Sequence, residues 1–342
     1  MWKEIKKQFI PNTITFISIV SFITVFKTFF GDENSLVGVT IVTAYLILLG
    51  TDLTKEPWKN FIGLLAINVI MGVMAHYANK NLWLGVILNF ITLFTVAYIC
   101  TENLTKRFLI PFGLEYLFML YAPVEGYVYY QRIEALAFGS VFIMLLQFFV
   151  HGLKKKKAKA TQDVSIQSSS SIKSLSHQEI QQQKLARIIF ALKLAVLTTI
   201  ATFINQLFGF VEGRWMAYTI FSVTEITIEQ TIHRAKIRVK STIIGIIIVF
   251  LSFLFIRDSQ ARMLIMLLAG YLNSYFSDYR YVVVIITISA VVSESMTYNS
   301  VYVMLMRLLF ICSGVIIALI GNHFHRLENR LLSIQKSTRK RR

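Results

Sequence analysis

Long apolar segments separated by short polar connections dominate this chain. A helix needs about 20 apolar residues to cross the ~30 Å hydrocarbon core of a bilayer. On that criterion the first half contains candidate segments at residues 10–30, 36–51, 58–77, 82–100, 107–122 and 132–151. The second half contains candidates at residues 186–207, 214–229, 239–256, 260–277, 279–294 and 301–323. The pattern predicts an all-α polytopic membrane protein, in which the second, fifth, eighth and eleventh segments are tilted, broken or partly re-entrant because they are short or interrupted by polar residues.

The two halves carry the same pattern in the same order. Several chemically similar positions align at an offset of 179 residues: Phe29 with Phe208, Glu33 with Glu212, Thr40 with Thr219, Ile41 with Ile220, Lys55 with Arg234, and Lys59 with Arg238. Near the end of each half the offset is 175, and there Arg132 aligns with Arg307 and Gly139 with Gly314. Such duplication predicts two parallel repeats of about six transmembrane helices each, a plan found in transporters.

A basic segment rich in serine and glutamine, residues 152–185, separates the halves. We therefore predict a first membrane repeat at residues 1–151, a disordered or weakly helical linker at 152–185, a second repeat at 186–325 and a basic tail at 326–342. Twelve spans place the N-terminus, the linker and the C-terminus on one face, together with most of the 35 Lys and Arg residues. Lysine and arginine accumulate on the cytoplasmic side. The prediction is a multi-pass plasma-membrane protein with both termini and the linker in the cytoplasm.

Composition agrees with a membrane location and excludes several other functions. The chain is 55% hydrophobic and 15% charged, outside the balance of a soluble domain. Its net charge of +17 comes from helix ends and tails rather than from a nucleic-acid-binding motif, so anionic lipid headgroups are the expected partner and nucleic acid is not. The sequence has no phosphate-binding loop, no HExxH or paired-cysteine zinc pattern and no GxSxG elbow. We expect no metal, no cofactor and no enzymatic activity.

Two cation pairs at the predicted cytoplasmic edge are candidates for an anion pathway. Arg234 and Arg238, spaced by four, share one helix face, where guanidinium groups can hold a carboxylate in two hydrogen bonds. Lys55 and Lys59 are their counterparts in the first half, so a ring of four cations would concentrate anions at the pore mouth. The alternative is topological, because basic residues at a cytoplasmic helix end fix orientation without any ligand.

Arg132 and Arg307 are a second candidate pair, each near the start of a terminal helix of its half. A charge near the hydrocarbon is costly, so a retained arginine usually faces protein or water. Substrate contact is one interpretation of this pair. The alternatives are snorkelling to the outer interface, or an ion pair with Glu125 or Glu134.

Buried carboxyl groups are candidates for proton coupling. Glu225 lies within the short eighth segment and is the first candidate, and Glu115 lies within the fifth. A carboxyl group that takes a proton on one side and releases it on the other provides the coupling that a proton-driven exporter requires. The alternative for each is a helix cap or a partner for a nearby arginine, which is also how we interpret Glu294 near the end of its segment.

The segment from Arg214 to Gly245 resembles the fusaric acid resistance and aromatic acid exporter family, whose distant relatives include plant malate channels. In that family a short span that begins with tryptophan is followed by two arginines about four residues apart and by a helix start of the Gly-Thr-x-x-Gly type. Those positions are filled here by Trp215, Arg234, Arg238, Thr242 and Gly245. Ser241 stands where the family commonly has glycine, and the frequent proline after the short span is absent.

The resemblance covers both halves of the chain and is strongest from residue 186 to 256. It implies efflux or passive permeation of small organic anions, with aromatic carboxylates as one candidate class. Trp215 joins the cations described above as a candidate pathway residue, and a homo-oligomer is an alternative to a chain that works alone. The alternative function is a non-transporting membrane scaffold or envelope-assembly factor whose linker and tail dock partners or anionic lipid. An enzyme acting on lipid-linked substrates lacks a paired catalytic constellation.

Overall fold

The computed structural model describes residues 2–102, 105–161 and 177–339. Within them the chain forms α-helices joined by short connections and two single 3₁₀ turns, and the predicted all-helical fold is confirmed. The twelve helices of these residues are α1 (Trp2–Phe30), α2 (Ser35–Leu48), α3 (Pro57–Ala78), α4 (Leu82–Cys100), α5 (Leu109–Tyr121), α6 (Gly126–Thr161), α7 (His177–Phe208), α8 (Arg214–Val223), α9 (Ile228–Phe255), α10 (Ser259–Asn273), α11 (Tyr279–Glu294) and α12 (Ser300–Arg339). The centre of the predicted linker, residues 162–176, and the last residues of the predicted tail, 340–342, lie outside the described residues.

Seven helices of the described residues are long and apolar enough to cross a membrane, which makes this a multi-pass membrane protein. They are α1, α3, α4, α6, α7, α9 and α12. The short helices include the four that the sequence identified, α2, α5, α8 and α11, but also α10, which has 15 residues and ends at Asn273. A 15-residue helix is about 22 Å long, less than the ~30 Å hydrocarbon thickness.

The end of α8 and the start of α9 differ from their predicted positions. The predicted eighth segment, 214–229, is interrupted because α8 ends at Val223 and Thr224 has extended backbone. Helix α9 then begins at Ile228, eleven residues before the predicted start at 239, with the Thr227 side chain accepting a hydrogen bond from the Gln230 backbone N–H. Its first turns contain Glu229, His233 and Arg234, and a search for apolar runs misses such a polar helical segment.

The described chain divides into two compact units. The first-half unit is Phe22–Ala195, and the second-half unit is Val196–Arg342 together with Met1–Ser21. The division falls inside α1 and α7 rather than in the linker. Long and short helices follow one another similarly in α1–α6 and α7–α12, and the offset of 179 places the first residue of α2, Ser35, on the first residue of α8, Arg214. The repeat of the three-dimensional fold stays a prediction, because helix order alone does not superpose two units.

Each unit has a core in which a terminal helix packs closely on a short helix. In the first-half unit, Gly139 of α6 faces the Ile41 side chain of α2. In the second-half unit, Gly314 of α12 faces the Met216 carbonyl and the Thr219 side chain of α8. These contacts bring the first turns of α6 and α12, where Arg132 and Arg307 lie, close to the residues that precede α2 and α8.

Candidate functional site

A buried cluster of charged residues surrounds the start of α8 in the second-half unit. The connection from α7 turns at Gly209, whose φ of 63° favours glycine. Glu212 follows this turn, and its side chain is buried, with 1% of its surface exposed. The Glu212 carbonyl accepts a hydrogen bond from the Trp215 backbone N–H at 3.1 Å, which fixes the carboxyl group and the indole on the same turn.

Two carboxyl groups meet at the Trp215 indole. Trp215 Nε1 lies 2.9 Å from Glu212 Oε2 and 3.1 Å from Glu294 Oε1, so one N–H serves two acceptors. Arg214 Nη2 donates to the same Glu294 Oε1 at 2.9 Å and lies 3.4 Å from Glu212 Oε1. The end of α11 and the start of α8 are thus held together by one cation and two carboxyl groups.

Arg307 of α12 completes this cluster in an unusual way. Its guanidinium carbon lies 3.6 Å from the centre of the Trp215 ring, a cation–π contact. The residue is fully buried, and its Nε, Nη1 and Nη2 atoms have no hydrogen-bond partner among the described residues. The neighbours that act on it electrostatically are Glu294, Glu212, Arg214 and Arg238. A guanidinium group has five N–H donors in one plane, a geometry that can hold an anion.

Arg238 belongs to this cluster, whereas Arg234 does not. Arg238 is buried on α9, and its Nε also lacks a hydrogen-bond partner within the described chain. Arg234 instead lies at the other end of α8, where its Nε is 2.8 Å from Glu225 Oε1 and its guanidinium carbon is 4.8 Å from the Tyr279 ring centre. The spacing of four that suggested one shared anion face therefore gives the two arginines different surroundings.

The carboxyl candidates for proton coupling also have different surroundings. Glu225 is buried and is the ion-pair partner of Arg234, which is one of the alternatives considered for it from sequence. Glu115 of α5 is buried in the first-half unit near the Thr40 hydroxyl, and its Oε1 has no hydrogen-bond partner among the described residues. Glu294 is the partner of Arg214, as its alternative interpretation anticipated.

Arg132 has a complete set of acceptors in the first-half unit. Its Nε donates to Asn34 Oδ1 at 2.7 Å, its Nη1 to the Ala122 carbonyl at 2.6 Å and its Nη2 to the Glu33 carbonyl at 3.1 Å. All three acceptors are neutral, and they tie the connections before α2 and before α6 to the first turns of α6. The structure therefore gives Arg132 a bracing position that none of the sequence interpretations described.

Lys55 and Lys59 lie on the surface of the first-half unit. Lys59 Nζ is 2.7 Å from Glu56 Oε2, and this hydrogen bond lowers the pKa of the Glu56 carboxyl. Lys55 is exposed at the end of the 3₁₀ turn before α3. Because these lysines and the two arginines of α9 belong to different units, the ring of four cations stays a prediction.

Sequence reasoning missed the participation of Glu212 and Arg214, although Glu212 had been matched to Glu33 by the repeat. Their role follows from contact with residues about 80 positions away, which no local spacing reveals. One signal was available: Glu212, Arg214 and Trp215 place two charges and an indole directly before an apolar helix. Among the described residues, no group of three or more His, Cys, Asp or Glu side chains is arranged to hold a metal ion.

Comparison with known proteins identifies this same region. The sequence profile of the family described as fusaric acid resistance protein-like matches residues 200–321, which include α8 to α11 and every member of the buried cluster. No curated protein and no solved structure matches the chain. The resemblance of the first half stays a prediction because the match does not reach it. Residues 200–321 of this multi-pass membrane protein are fusaric acid resistance protein-like.

Proposed function

We propose that this protein is a membrane transporter that carries small organic anions, and that the anion binds at Arg307. The observation that carries the proposal is the fully buried Arg307 guanidinium, whose three nitrogens have no hydrogen-bond partner among the described residues. The family match supports the broader statement that the protein is a membrane transporter. An anionic substrate is the finer part of the proposal.

The buried charge of Arg307 has a large energetic cost. An arginine within the bilayer costs about 2.5–3.5 kcal/mol on insertion scales, and a buried guanidinium without hydrogen bonds keeps much of that cost. A carboxylate ligand compensates both the buried charge and the missing hydrogen bonds, because it supplies the opposite charge and accepts two parallel hydrogen bonds from the guanidinium N–H groups. Arg238 is also buried, its Nε has no hydrogen-bond partner among the described residues, and its positive charge acts on Arg307.

The shape of the site favours a planar anion. The Arg307 guanidinium carbon lies 3.6 Å from the centre of the Trp215 ring, so the guanidinium group and the indole are in direct contact. A carboxylate bound in the guanidinium plane would place its organic group beside the indole, where an aromatic or apolar group makes favourable contact. Aromatic carboxylates, the class implied by the sequence resemblance, fit this arrangement.

The remaining parts of the proposal concern location and coupling. Plasma-membrane insertion with the N-terminus, linker and C-terminus in the cytoplasm is proposed from the distribution of lysine and arginine. Anionic lipid headgroups are proposed partners of the exposed basic residues, and a homo-oligomer remains open.

Glu115 and Glu225 remain proposed proton carriers, with Glu225 less available because it pairs with Arg234. No enzymatic step is proposed.

The test is uptake of radiolabelled carboxylates, including aromatic acids, by liposomes containing the purified protein. We expect saturable uptake by the unmodified protein and little uptake by Arg307→Gln. Arg257→Gln is the matched control, because Arg257 is exposed in the connection after α9 and lies outside the cluster. Folded, inserted protein that carries no anion in either form would overturn the proposal and favour the scaffold function.

A further inference from the structure

Two carboxyl groups, those of Glu212 and Glu294, lie beside the proposed anion site. Glu212 and Glu294 both approach Trp215 Nε1, at 2.9 Å and 3.1 Å, so the two carboxyl groups occupy one small buried volume. Their side chains are 1% and 10% exposed. Two carboxylates that share a site away from water repel each other, and binding of one proton relieves that repulsion.

The charged groups around Glu294 decide how such a proton would act. Arg214 and Tyr218 face it from α8, Glu212 from the connection before α8, and Arg307 from α12. Arg238 of α9 acts on Arg307 in turn. Arg214 is already hydrogen-bonded to Glu294, and Arg307 is not hydrogen-bonded to either carboxyl group.

We propose that Glu294, paired with Glu212, reversibly binds one proton and that this proton increases anion affinity at Arg307. The inference rests on the proposed function, since it concerns the same site. With both carboxyl groups ionised, the three arginines of the cluster, Arg214, Arg238 and Arg307, exceed its two carboxylates by one positive charge. One proton added to a Glu294 oxygen removes one negative charge and weakens the Arg214–Glu294 ion pair, while no covalent bond other than the new O–H forms. The excess then rises to two positive charges, which strengthens the attraction of the cluster for an incoming anion.

Linkage gives this mechanism a measurable consequence. If one proton strengthens binding of the anion, then the anion strengthens binding of the proton by the same factor. Anion affinity should therefore rise as pH falls, by at most about tenfold per pH unit for one coupled proton.

Trp215 offers a direct readout that does not depend on transport. The chain has four tryptophans, and two of the others, Trp58 and Trp83, are 76% and 70% exposed. A background variant with Trp2→Phe, Trp58→Phe and Trp83→Phe leaves Trp215 as the sole indole. We expect the fluorescence of Trp215 in detergent to change in one step as pH is varied from about 5 to about 9, because the proton binds to a hydrogen-bond partner of the indole.

Substitutions identify the group that binds the proton. In the single-tryptophan background, Glu294→Gln should keep the low-pH spectrum at every pH, because an amide imitates the neutral carboxyl group. Glu212→Gln should also remove or displace the transition, which gives a second variant if the first does not fold. Glu229→Gln is the matched control, since Glu229 is exposed in the first turn of α9, and it should titrate like the unsubstituted background.

The coupling itself is tested with benzenesulfonate, an anion whose own charge does not change over this pH range. The expected result is affinity that increases as pH falls in the unmodified protein and is independent of pH in Glu294→Gln. Binding that is independent of pH in both proteins, with a flat Trp215 signal, would overturn the inference and leave the proposed function intact. A Trp215 transition that Glu294→Gln abolishes, without binding of any anion, would overturn the coupling and the proposed function while retaining the proton site.

Discussion

Arg132 and Arg307 occupy matched places in the two halves, yet their surroundings are opposite. Both lie in the first turns of a long terminal helix and both are buried. Arg132 donates hydrogen bonds to three neutral acceptors within its unit, whereas Arg307 donates none to the residues that the structure describes and lies among charged side chains and an indole. A buried arginine whose N–H groups all have acceptors within the protein is therefore structural. A buried arginine without such acceptors is available for a ligand.

One position accounts for much of the difference. At the offset of 179, Asn34 of the first half corresponds to Gly213 of the second, and Asn34 Oδ1 is the acceptor for Arg132 Nε. The Gly213 backbone is in the right-handed helical region, so its conformation does not require glycine. The space available does require glycine, because a Cβ at Gly213 would overlap the Asn205 side chain. The second half thus has no side chain at this aligned position, and the Asn205 side-chain amide occupies the space that a Cβ there would need.

The largest effects should come from removing each arginine. Arg132→Met leaves the Asn34 amide and two carbonyls without a donor, at about 1–3 kcal/mol for each buried acceptor, so we expect a large loss of stability. Arg307→Met leaves no acceptor among the described residues without its donor, so it should cost less stability. It should weaken anion binding about 10- to 100-fold, because the charged hydrogen bonds to the anion are lost. Thermal unfolding in detergent and equilibrium binding measure the two effects. Equal loss of stability in both variants would contradict the comparison.

A second prediction concerns the glycine itself. Gly213→Ala should destabilise the protein by about 1–3 kcal/mol, because overpacking forces Asn205 to move. Asn205→Ala in the same chain should remove most of that cost. The unfolding midpoints of the two single variants and the double variant form a thermodynamic cycle. Additive effects would show that Gly213 is not limited by Asn205.

A smaller difference is expected between the two packing glycines. A Cβ on Gly314 would lie 2.7 Å from the Met216 carbonyl oxygen, and backbone cannot easily move away. A Cβ on Gly139 would meet only the Ile41 side chain, which can change rotamer. We expect Gly314→Ala to cost about 1–3 kcal/mol and Gly139→Ala less. The unfolding midpoints of the two variants, measured side by side in one detergent, decide the order.

The smallest effects should come from the exposed lysines. Replacing Lys55 and Lys59 by glutamine should reduce anion uptake only about two- to threefold and only at low ionic strength, because salt screens exposed charges over about 8–10 Å. The defect of Arg307→Met should persist at high salt, since a buried charge is screened much less. Uptake measured at two salt concentrations distinguishes the lysine variant from Arg307→Met. A defect of the lysine variant that survives high salt would indicate direct contact with the anion.

The sequence predicted the helices better than the site. Apolar length and loop composition placed all twelve segments in order, because burial in lipid imposes a strong compositional pattern. The repeat and the cost of membrane charges directed attention to Arg132 and Arg307. Neither could show that Arg132 is satisfied by two backbone carbonyls and an amide, or that Glu294 meets Trp215, since hydrogen-bond partners are set by how helices pack. For the same reason the spacing of Arg234 and Arg238 did not reveal that only Arg238 joins the cluster.

The short helix α8 has an electrical consequence. Its ten residues span about 15 Å, half the hydrocarbon thickness, with the Arg214 cluster at one end and the Glu225–Arg234 ion pair at the other. If water reaches both ends, the membrane potential falls over that thin layer, and the local field is about twice that of an intact bilayer. One negative charge moving along α8 would then exchange about 2.3 kcal/mol per 100 mV in a single step. Transport of an anion without a proton would therefore depend on the membrane potential.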